Sequence, residues 1–459
     1  MAGDPAPSYQ AYWMNALKSD APYHGLTGSG ARWDGPVVIR GVRIITGTGE
    51  DPIERGVIVF EGERIVAAGA ENQVSAPRGG TTLDADGMTV MPGLIDCHVH
   101  FNGHWGYDVL DGLQTSPSLG VLYSVPNARA TLEAGITTVR DAGLSPAGVR
   151  QALERGFFPG PRMLTAVSVL SQTGGHGDGF MQCCADFTHM AAGKALSRDV
   201  PTGVVDGVEA MRHKVREVLR AGADWIKLCT SGGVLSAADS PDSAQFTVEE
   251  IAVAVYEAAA QGKRCMAHAQ SNRGIKNAIE AGIASIEHGI YLDDEAIQMM
   301  LDRGVYLVPT LIAPQDVIDA AEVNPGKLPA YAVEKAKHVA DAHRQSFRMA
   351  VEAGVKVAMG TDTGVGPHGG NAREVEQMAR YGGMTPMQAI VASTRTAAEL
   401  LRLDDQTGTL AAGKFADILL VDGDPLADLG ILAQPEKLAM VLKAGAAARD
   451  RVSTRAAAR

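Results

Sequence analysis

Pro92-Gly93-Leu94-Ile95-Asp96-Cys97-His98-Val99-His100 is a short apolar run that ends in two histidines. Its aliphatic residues favour an extended chain, and residues two apart on a strand share a face. His98 and His100 therefore project together, while Cys97 and Val99 face the other way. Two imidazoles on one pleat suit a Zn²⁺-like ion. A bare His-x-His carries little weight in a chain with 12 His. The Pro-Gly-Leu-Ile-Asp lead-in changes that, because it sets the pair at the end of a strand.

Four further runs repeat the form. Trp225-Ile226-Lys227, Ala267-His268-Ala269, Glu287-His288-Gly289 and Gly360-Thr361-Asp362 each carry a chemically capable side chain where an apolar, β-rich run finishes. In a (β/α)₈ barrel the catalytic groups gather at the C-terminal ends of the strands. One such barrel would bring His98, His100, Lys227, His268, His288 and Asp362 to a single mouth. The fold expected is therefore α/β, a TIM-like (β/α)₈ barrel. Its strands are expected near 93–100, 136–141, 162–169, 225–230, 264–269, 285–290, 305–311 and 356–362. Amphipathic stretches such as Gly207–Ala221, Thr247–Gln261 and Asp293–Arg303 supply helices between them.

Outside the barrel the pattern changes. Residues 37–90 alternate in the strand manner, as in Val37–Ile45 and Val57–Phe60, with turns at Glu61-Gly62-Glu63 and Ala85-Asp86-Gly87. Phe415–Val421 and Met440–Lys443 read the same way. The organisation expected is an N-terminal arm (1–36), a β-sandwich begun by 37–90 and completed by 409–459 with a tail, and a barrel over 91–408. There is no internal repeat and no low-complexity tract.

Composition excludes several classes of partner. The chain has 459 residues, 46% hydrophobic and 20% charged, and a net charge of −12. That balance argues against nucleic acid or an anionic membrane. No apolar run reaches the roughly 18 residues a membrane span needs. The start (Met1-Ala2-Gly3-Asp4-Pro5) has neither the basic segment nor the apolar stretch of a secretory signal. Of five Cys, three (Cys97, Cys229, Cys265) fall in expected core strands. Reduced thiols and a cytoplasmic location are expected. Cys183-Cys184 lacks the second pair that a metal knot would need. The arm carries Tyr9, Tyr12 and Trp13 with no obvious place in barrel or sandwich, so a homo-oligomer is expected.

Lys227 decides the chemistry. An ammonium beside two divalent ions repels them, whereas carbamylation by CO₂ gives an anion with two oxygens that can bridge. Two ions with Asp362, a hydroxide and a carbamate sum to about +1, against about +3 with an ammonium. A low-dielectric pocket tolerates the first far better. Asp362, following Val357-Ala358-Met359-Gly360-Thr361, can ligate a metal and take the proton of the attacking water.

This pattern resembles the amidohydrolase superfamily in its binuclear form with a carbamylated lysine. The family's two strand-one histidines fall on His98 and His100, and its bridging lysine on Lys227. Its strand-five and strand-six histidines fall on His268 and His288, and its strand-eight aspartate on Asp362. Ser171-Gln172-Thr173-Gly174-Gly175-His176-Gly177 and the loop carrying His368 and Asn371 are similar to the Xaa-Pro dipeptidase and ochratoxin-amidase branch. Phenylurea and thiocarbamate hydrolases stand near that branch. The resemblance implies two divalent ions, zinc first with cobalt or manganese as alternates, and a CO₂-derived carbamate on Lys227. His98, His100 and Asp362 would hold one ion, and His268 and His288 the other.

The resemblance further implies a hydrolase of amide-type C–N bonds, in which a metal-bridging hydroxide attacks and Asp362 serves as general base and acid. Substrates would be dipeptides or N-acyl amino acids, or else ureas or carbamates. His176 is expected to contact the substrate carbonyl or carboxylate and to serve catalysis. His368 is a second substrate-binding candidate, with fixing of its own loop as the other reading, shared by Asn371. Arg373 is a candidate cation for a carboxylate. Arg140-Asp141 is expected to form a pair that is structural or that supports the metal ligands from behind. Gly103–Gly120, with Trp105 and Tyr107, and Thr310–Ala330 would wall an apolar pocket. Two other classes compete. A mononuclear deaminase or cyclic-amide hydrolase of the imidazolonepropionase type would lack Lys227, and a scaffold that had lost its site would lack the ligand set.

Overall fold

The computed structural model describes residues 33–103, 115–178, 199–326 and 328–452. The aromatic arm, Trp105 and Tyr107, and Cys183-Cys184 lie outside the described residues.

The first strands are β1 (Val37–Ile44), β2 (Ile53–Glu61), β3 (Arg64–Ala70), β4 (Thr81–Asp84) and β5 (Thr89–Pro92). From the far end of the chain come β14 (Ile418–Val421), β15 (Leu438–Lys443) and β16 (Ala446–Asp450). They form one eight-stranded sheet in the order β16-β15-β14-β5-β1-β2-β3, with β4 also on β1. The two chain ends meet where β14 pairs antiparallel with β5, Ile418 opposite Pro92. One apolar cluster, including Ile39, Ile44, Ile58, Phe60, Ile418 and Leu442, covers this sheet.

Between those ends runs the parallel part. β6 (Leu94–Val99), β7 (Ile136–Asp141) and β8 (Arg162–Thr165) form one sheet. β9 (Val169–Leu170), β10 (Trp225–Cys229), β11 (Arg264–Ala269), β12 (Ser285–His288) and β13 (Tyr306–Val308) form another. Every residue of β6, β7, β10 and β12 is buried. Burial on both faces is what a parallel sheet covered on both sides requires. Cys97, Cys229 and Cys265, on β6, β10 and β11, are buried free thiols.

Helices return the chain between strands, and their ends follow from local chemistry. Thr247 and Glu250 make a reciprocal capping box at the start of the helix Val248–Ala259. Asp293 accepts the Ala296 N–H to open Asp294–Arg303, which Gly304 ends in a left-handed turn. Among the described residues no helix is long and apolar enough to cross a membrane.

Two expected strands differ in detail. The stretch 162–169 splits into β8 and β9, because Val167 takes a left-handed backbone with φ 61° between them. Residues 356–362 make no continuous strand. They are tied in by single parallel bridges, Leu307 to Val357 and Val99 to Thr363. The Ala358 N–H donates to Leu307 O at 3.0 Å, and the Cys97 N–H donates to Met359 O at 2.8 Å. This segment therefore touches both β13 and β6, which sets Asp362 beside His98.

Candidate metal centre

His98 and His100 leave the end of β6 on one side, and Asp362 arrives from the segment alongside. His98 Nε2 and His100 Nε2 stand 3.3 and 3.2 Å from Asp362 Oδ1. These three groups bring one donor atom each within 4.8 Å of one another. Their protons point elsewhere. His98 Nδ1–H donates to Glu287 Oε2 at 2.8 Å, and His100 Nδ1–H donates to Gly143 O at 3.1 Å. Two imidazole lone pairs and a carboxylate oxygen thus converge with no imidazole proton between them. That donor set fits a divalent cation.

Lys227, from the middle of β10, stands over the same point with Nζ 3.2 Å from His98 Nε2. It is 3% exposed. Burial holds its amine below the ordinary lysine pKa, against the pull of Glu287 and Asp362. Only the neutral amine adds to CO₂, so burial favours the reactive form.

His268 and His288 complete the cluster from β11 and β12. Their ring centroids are 4.6 Å apart, and His288 lies 5.2 Å from His98. His268 Nε2–H donates to Gly232 O at 3.0 Å, which leaves Nδ1 as the free lone pair. His288 bonds the Thr310 hydroxyl through Nδ1 at 2.7 Å, which leaves Nε2 free. His288, Thr310 and Asp362 all hold left-handed backbones, with φ of 72°, 55° and 58°. Such conformations cost roughly 1–3 kcal/mol each and persist where surrounding structure imposes them.

Of the groups behind this cluster, the sequence pointed to Arg140-Asp141 but not to Asp96 or Glu287. Asp96 is fully buried and accepts from His98 N, Thr361 N, Thr361 Oγ1 and Asn371 Nδ2 at 2.7–3.1 Å. It staples β6 to the segment carrying Asp362, and burial raises its pKa to about 6. Arg140 and Asp141 do not pair with each other, because successive strand residues face opposite ways. Arg140 instead forks onto Glu287 at 2.8 and 3.0 Å. Burial pushes the Glu287 carboxyl up, but Arg140 and His98 outweigh it and hold it at about 2. Asp141 accepts from Phe101 N, Gly143 N and Ser145 Oγ. The available signal was an acidic residue inside an apolar run, at Asp96 and at Glu287.

His176 stacks on His268, with centroids 4.1 Å apart and an interplanar angle of 13°. Ser236 donates its hydroxyl to Asp239, so His176 Nδ1–H donates to Ser236 Oγ at 2.9 Å and Nε2 carries the lone pair. Burial holds this imidazole at about 4, so it is neutral near pH 7. A neutral ring in that tautomer accepts a hydrogen bond rather than donating one to a carbonyl. His368 spends both ring nitrogens on the protein, Nδ1 on Thr131 Oγ1 and Nε2 on His100 O, each at 3.1 Å. Asn371 bonds Asp96 and Thr363. Arg373 is paired with Asp316 at 2.8 Å.

A cavity opens on His176, His268, His288 and Asp362. Val234, Leu235, Ile290 and Val365 give it apolar wall, together with Ala313, Pro314 and Val317 from the helix Ile312–Val323. The segment Thr310–Ala330, expected to wall an apolar pocket, contributes a helix face to this one.

The sequence model of the amidohydrolase family matches residues 89–448. The chain belongs to the amidohydrolase family. It is a hydrolase acting on amide-type C–N bonds, with the α/β, TIM-like barrel of that family. The chain is 34% identical over 413 residues to ochratoxinase of Aspergillus niger, covering 88% of this chain and 84% of that one. The crystal structure of a Xaa-Pro dipeptidase with bound methionine superposes with a TM-score of 0.81 at 33% identity, over 90% of this chain and 99% of that one. Molinate hydrolase shares the fold, with a TM-score of 0.73 at 23% identity, over 90% of this chain and 95% of that one. These relatives fall in the branch that the sequence resembles.

Proposed function

We propose that this amidohydrolase works with two divalent ions, zinc first, and a carbamate on Lys227. On this reading the two parallel sheets and residues 356–363 close into one (β/α)₈ barrel beside a β-sandwich built from both chain ends. His98, His100 and Asp362 would hold one ion, His268 and His288 the other, and carbamylated Lys227 both. The observation that carries it is the convergence of His98 Nε2, His100 Nε2 and Asp362 Oδ1 with both Nδ1 protons already committed.

Bound ions would polarise the scissile carbonyl and lower the pKa of a water. The chain's own groups do the rest. Asp362 Oδ2 makes no hydrogen bond among the described residues, so it is free to accept the proton of the attacking water and return it to the departing nitrogen. His176 Nε2 accepts a hydrogen bond from the substrate. His368, with both nitrogens engaged, positions the His100 carbonyl. The apolar wall receives the body of the substrate and excludes water from the reacting atoms.

Substrates are amides of dipeptide or N-acyl amino acid type, in keeping with the name of the Xaa-Pro dipeptidase, with ureas and carbamates as the second group. The mononuclear deaminase alternative has no use for a buried lysine 3.2 Å from a ligand histidine. The reading includes a cytoplasmic homo-oligomer, drawn from composition and from the aromatic arm. The experiment is a screen of dipeptides and N-acyl amino acids beside aryl ureas and carbamates, with elemental analysis of the same protein. Turnover of a member of either group by protein holding two ions supports the reading. Full activity with one ion overturns it.

A further inference from the structure

Two histidines of the site, His268 and His176, are held by one loop. The Gly232 carbonyl accepts from His268 Nε2, and Ser236 accepts from His176 Nδ1. The loop carries Gly232 and Gly233, which restrain the backbone least. Its own ties are the Gly232 N–H to Ser243 O at 2.9 Å, the Gly233 N–H to Asp239 Oδ1 at 3.3 Å and the Ser236 hydroxyl to Asp239. Both glycines are required by close packing. A Cβ on Gly232 would meet Ser240 O at 2.1 Å, and one on Gly233 would meet the His176 ring at 2.2 Å.

A second set of ties reaches the loop from elsewhere in the chain. Lys335, on the helix Ala330–Ala353, donates to Gly233 O, Ser236 O and Asp239 O at 3.0, 2.7 and 2.6 Å. An ammonium has three protons, and here each meets a carbonyl of the same loop. Tyr331, one turn earlier, donates its hydroxyl to Leu235 O at 3.3 Å. Asp239, 4% exposed at its side chain, accepts from Ser236 Oγ and Gln245 Nε2, and Gln245 Oε1 accepts the His176 N–H at 3.0 Å.

We propose that Lys335 is a positioning residue for the second half of the metal centre: it pins residues 232–240 so that Gly232 orients His268 and Ser236 orients His176. It touches neither substrate nor metal. The inference deepens the binuclear reading and rests on it for its consequence at His268, while the pin itself does not.

The test compares wild type, Lys335→Met and, on the same helix, Lys337→Met. Hydrogen exchange on metal-free protein comes first. Lys335→Met should speed exchange of the amides in 232–240 roughly tenfold or more, with the barrel strands unchanged, since local opening tracks lost local bonds. Zinc titration against a chelator comes second. The binding step that His268→Ala removes should weaken roughly 10–100-fold in Lys335→Met, as for other groups that orient metal ligands. The other step and Lys337→Met should match wild type. Unchanged exchange in 232–240 overturns the inference, and so does a faster loop with an unaltered His268 step. Wild type that titrates a single ion defeats the binuclear reading, while the exchange result still decides the pin. Should Lys335→Met fail to fold, Lys335→Gln carries the same expectation at smaller size.

Discussion

Glu287 Oε2 accepts the Nδ1 hydrogen of His98 at 2.8 Å, and Glu287 stands one residue before His288 on β12. One strand thus offers His288 to the site and, with the adjacent side chain, fixes the tautomer of a histidine from β6. Glu287 is in turn held by Arg140 from β7 and by Ser285 Oγ at 2.5 Å. None of the charged pair is exposed.

Arg140→Met leaves a buried carboxylate without its guanidinium. The expected cost is roughly 3–5 kcal/mol, since removing one partner strands the other charge. Glu287→Gln keeps the shape and should cost less stability, but weaken binding of the ion beside His98 roughly 10–100-fold. Urea denaturation of metal-free protein and a zinc titration check the two. Glu287→Gln with wild-type zinc affinity would remove Glu287 from any role at His98.

Purified wild-type protein should hold close to two divalent ions per chain. Lys227→Ala should lose metal and activity together, by at least the roughly 10²–10⁴-fold typical of one catalytic group. Acetate or propionate should restore part of the activity by filling the vacated space. Lys227→Arg should stay inactive, because its guanidinium remains cationic. A Lys227→Arg variant with full metal and near wild-type turnover would end the carbamate reading.

Chelation should lower thermal stability reversibly, because ions that bind only the folded chain add to its stability by mass action. Calorimetry before and after chelation, and again after zinc is returned, checks this. Identical melting in all three states would argue against a metal bound at His98, His100 and Asp362.

Gly360 lets the segment carrying Asp362 lie against its neighbours. An added Cβ would meet Val308 Cγ1 at 2.3 Å and His98 Cβ at 3.0 Å. Gly360→Ala should therefore destabilise by roughly 1–3 kcal/mol, as overpacked cores do, and reduce metal content by displacing Asp362. Denaturation midpoints and elemental analysis report both effects. Unaltered values would mean that the segment yields freely.

Glu374 is buried and accepts the N–H groups of Leu311 and Ile312 at 2.7 and 2.9 Å. Burial outweighs those bonds and raises its carboxyl from 4.5 to about 8. The folded chain then binds this proton more tightly than the unfolded chain. Its stabilising contribution is complete below about pH 4.5 and is lost as pH rises toward 8. Between pH 5 and 8 wild type should lose stability relative to Glu374→Gln, at up to about 1.4 kcal/mol per pH unit. Parallel stability profiles would show that Glu374 does not titrate in this range.

Much of the architecture was legible because its determinants are local. Apolar runs such as Leu94–Val99 and Trp225–Cys229, capping residues such as Thr247 and Asp293, and helical periodicity between them all act within a few residues. Val167 escaped notice because nothing in a Val reveals a left-handed backbone, which surrounding structure imposes. Arg140 does stand behind the site as read, through Glu287 and His98, but Arg140 and Asp141 do not bond each other, since neighbours on a strand cannot share a face. The tautomer of His176 was equally out of reach, because Ser236 and Asp239 set it from some sixty positions away.

By itself the sequence determined which chemistries the chain owns and the strand ends on which they ride, because side-chain identity and strand periodicity are properties of the local chain. Only the tertiary structure decided which nitrogen of each imidazole faces the centre. It alone paired Arg140 with Glu287, brought Asp96 under Thr361 and set Lys335 on a loop about a hundred residues before it. Those contacts depend on strand register and helix placement, and a shift of one residue turns a side chain to the other face. Hydrogen bonds act over about 3 Å, and only the folded chain sets distances that short between residues so far apart in sequence.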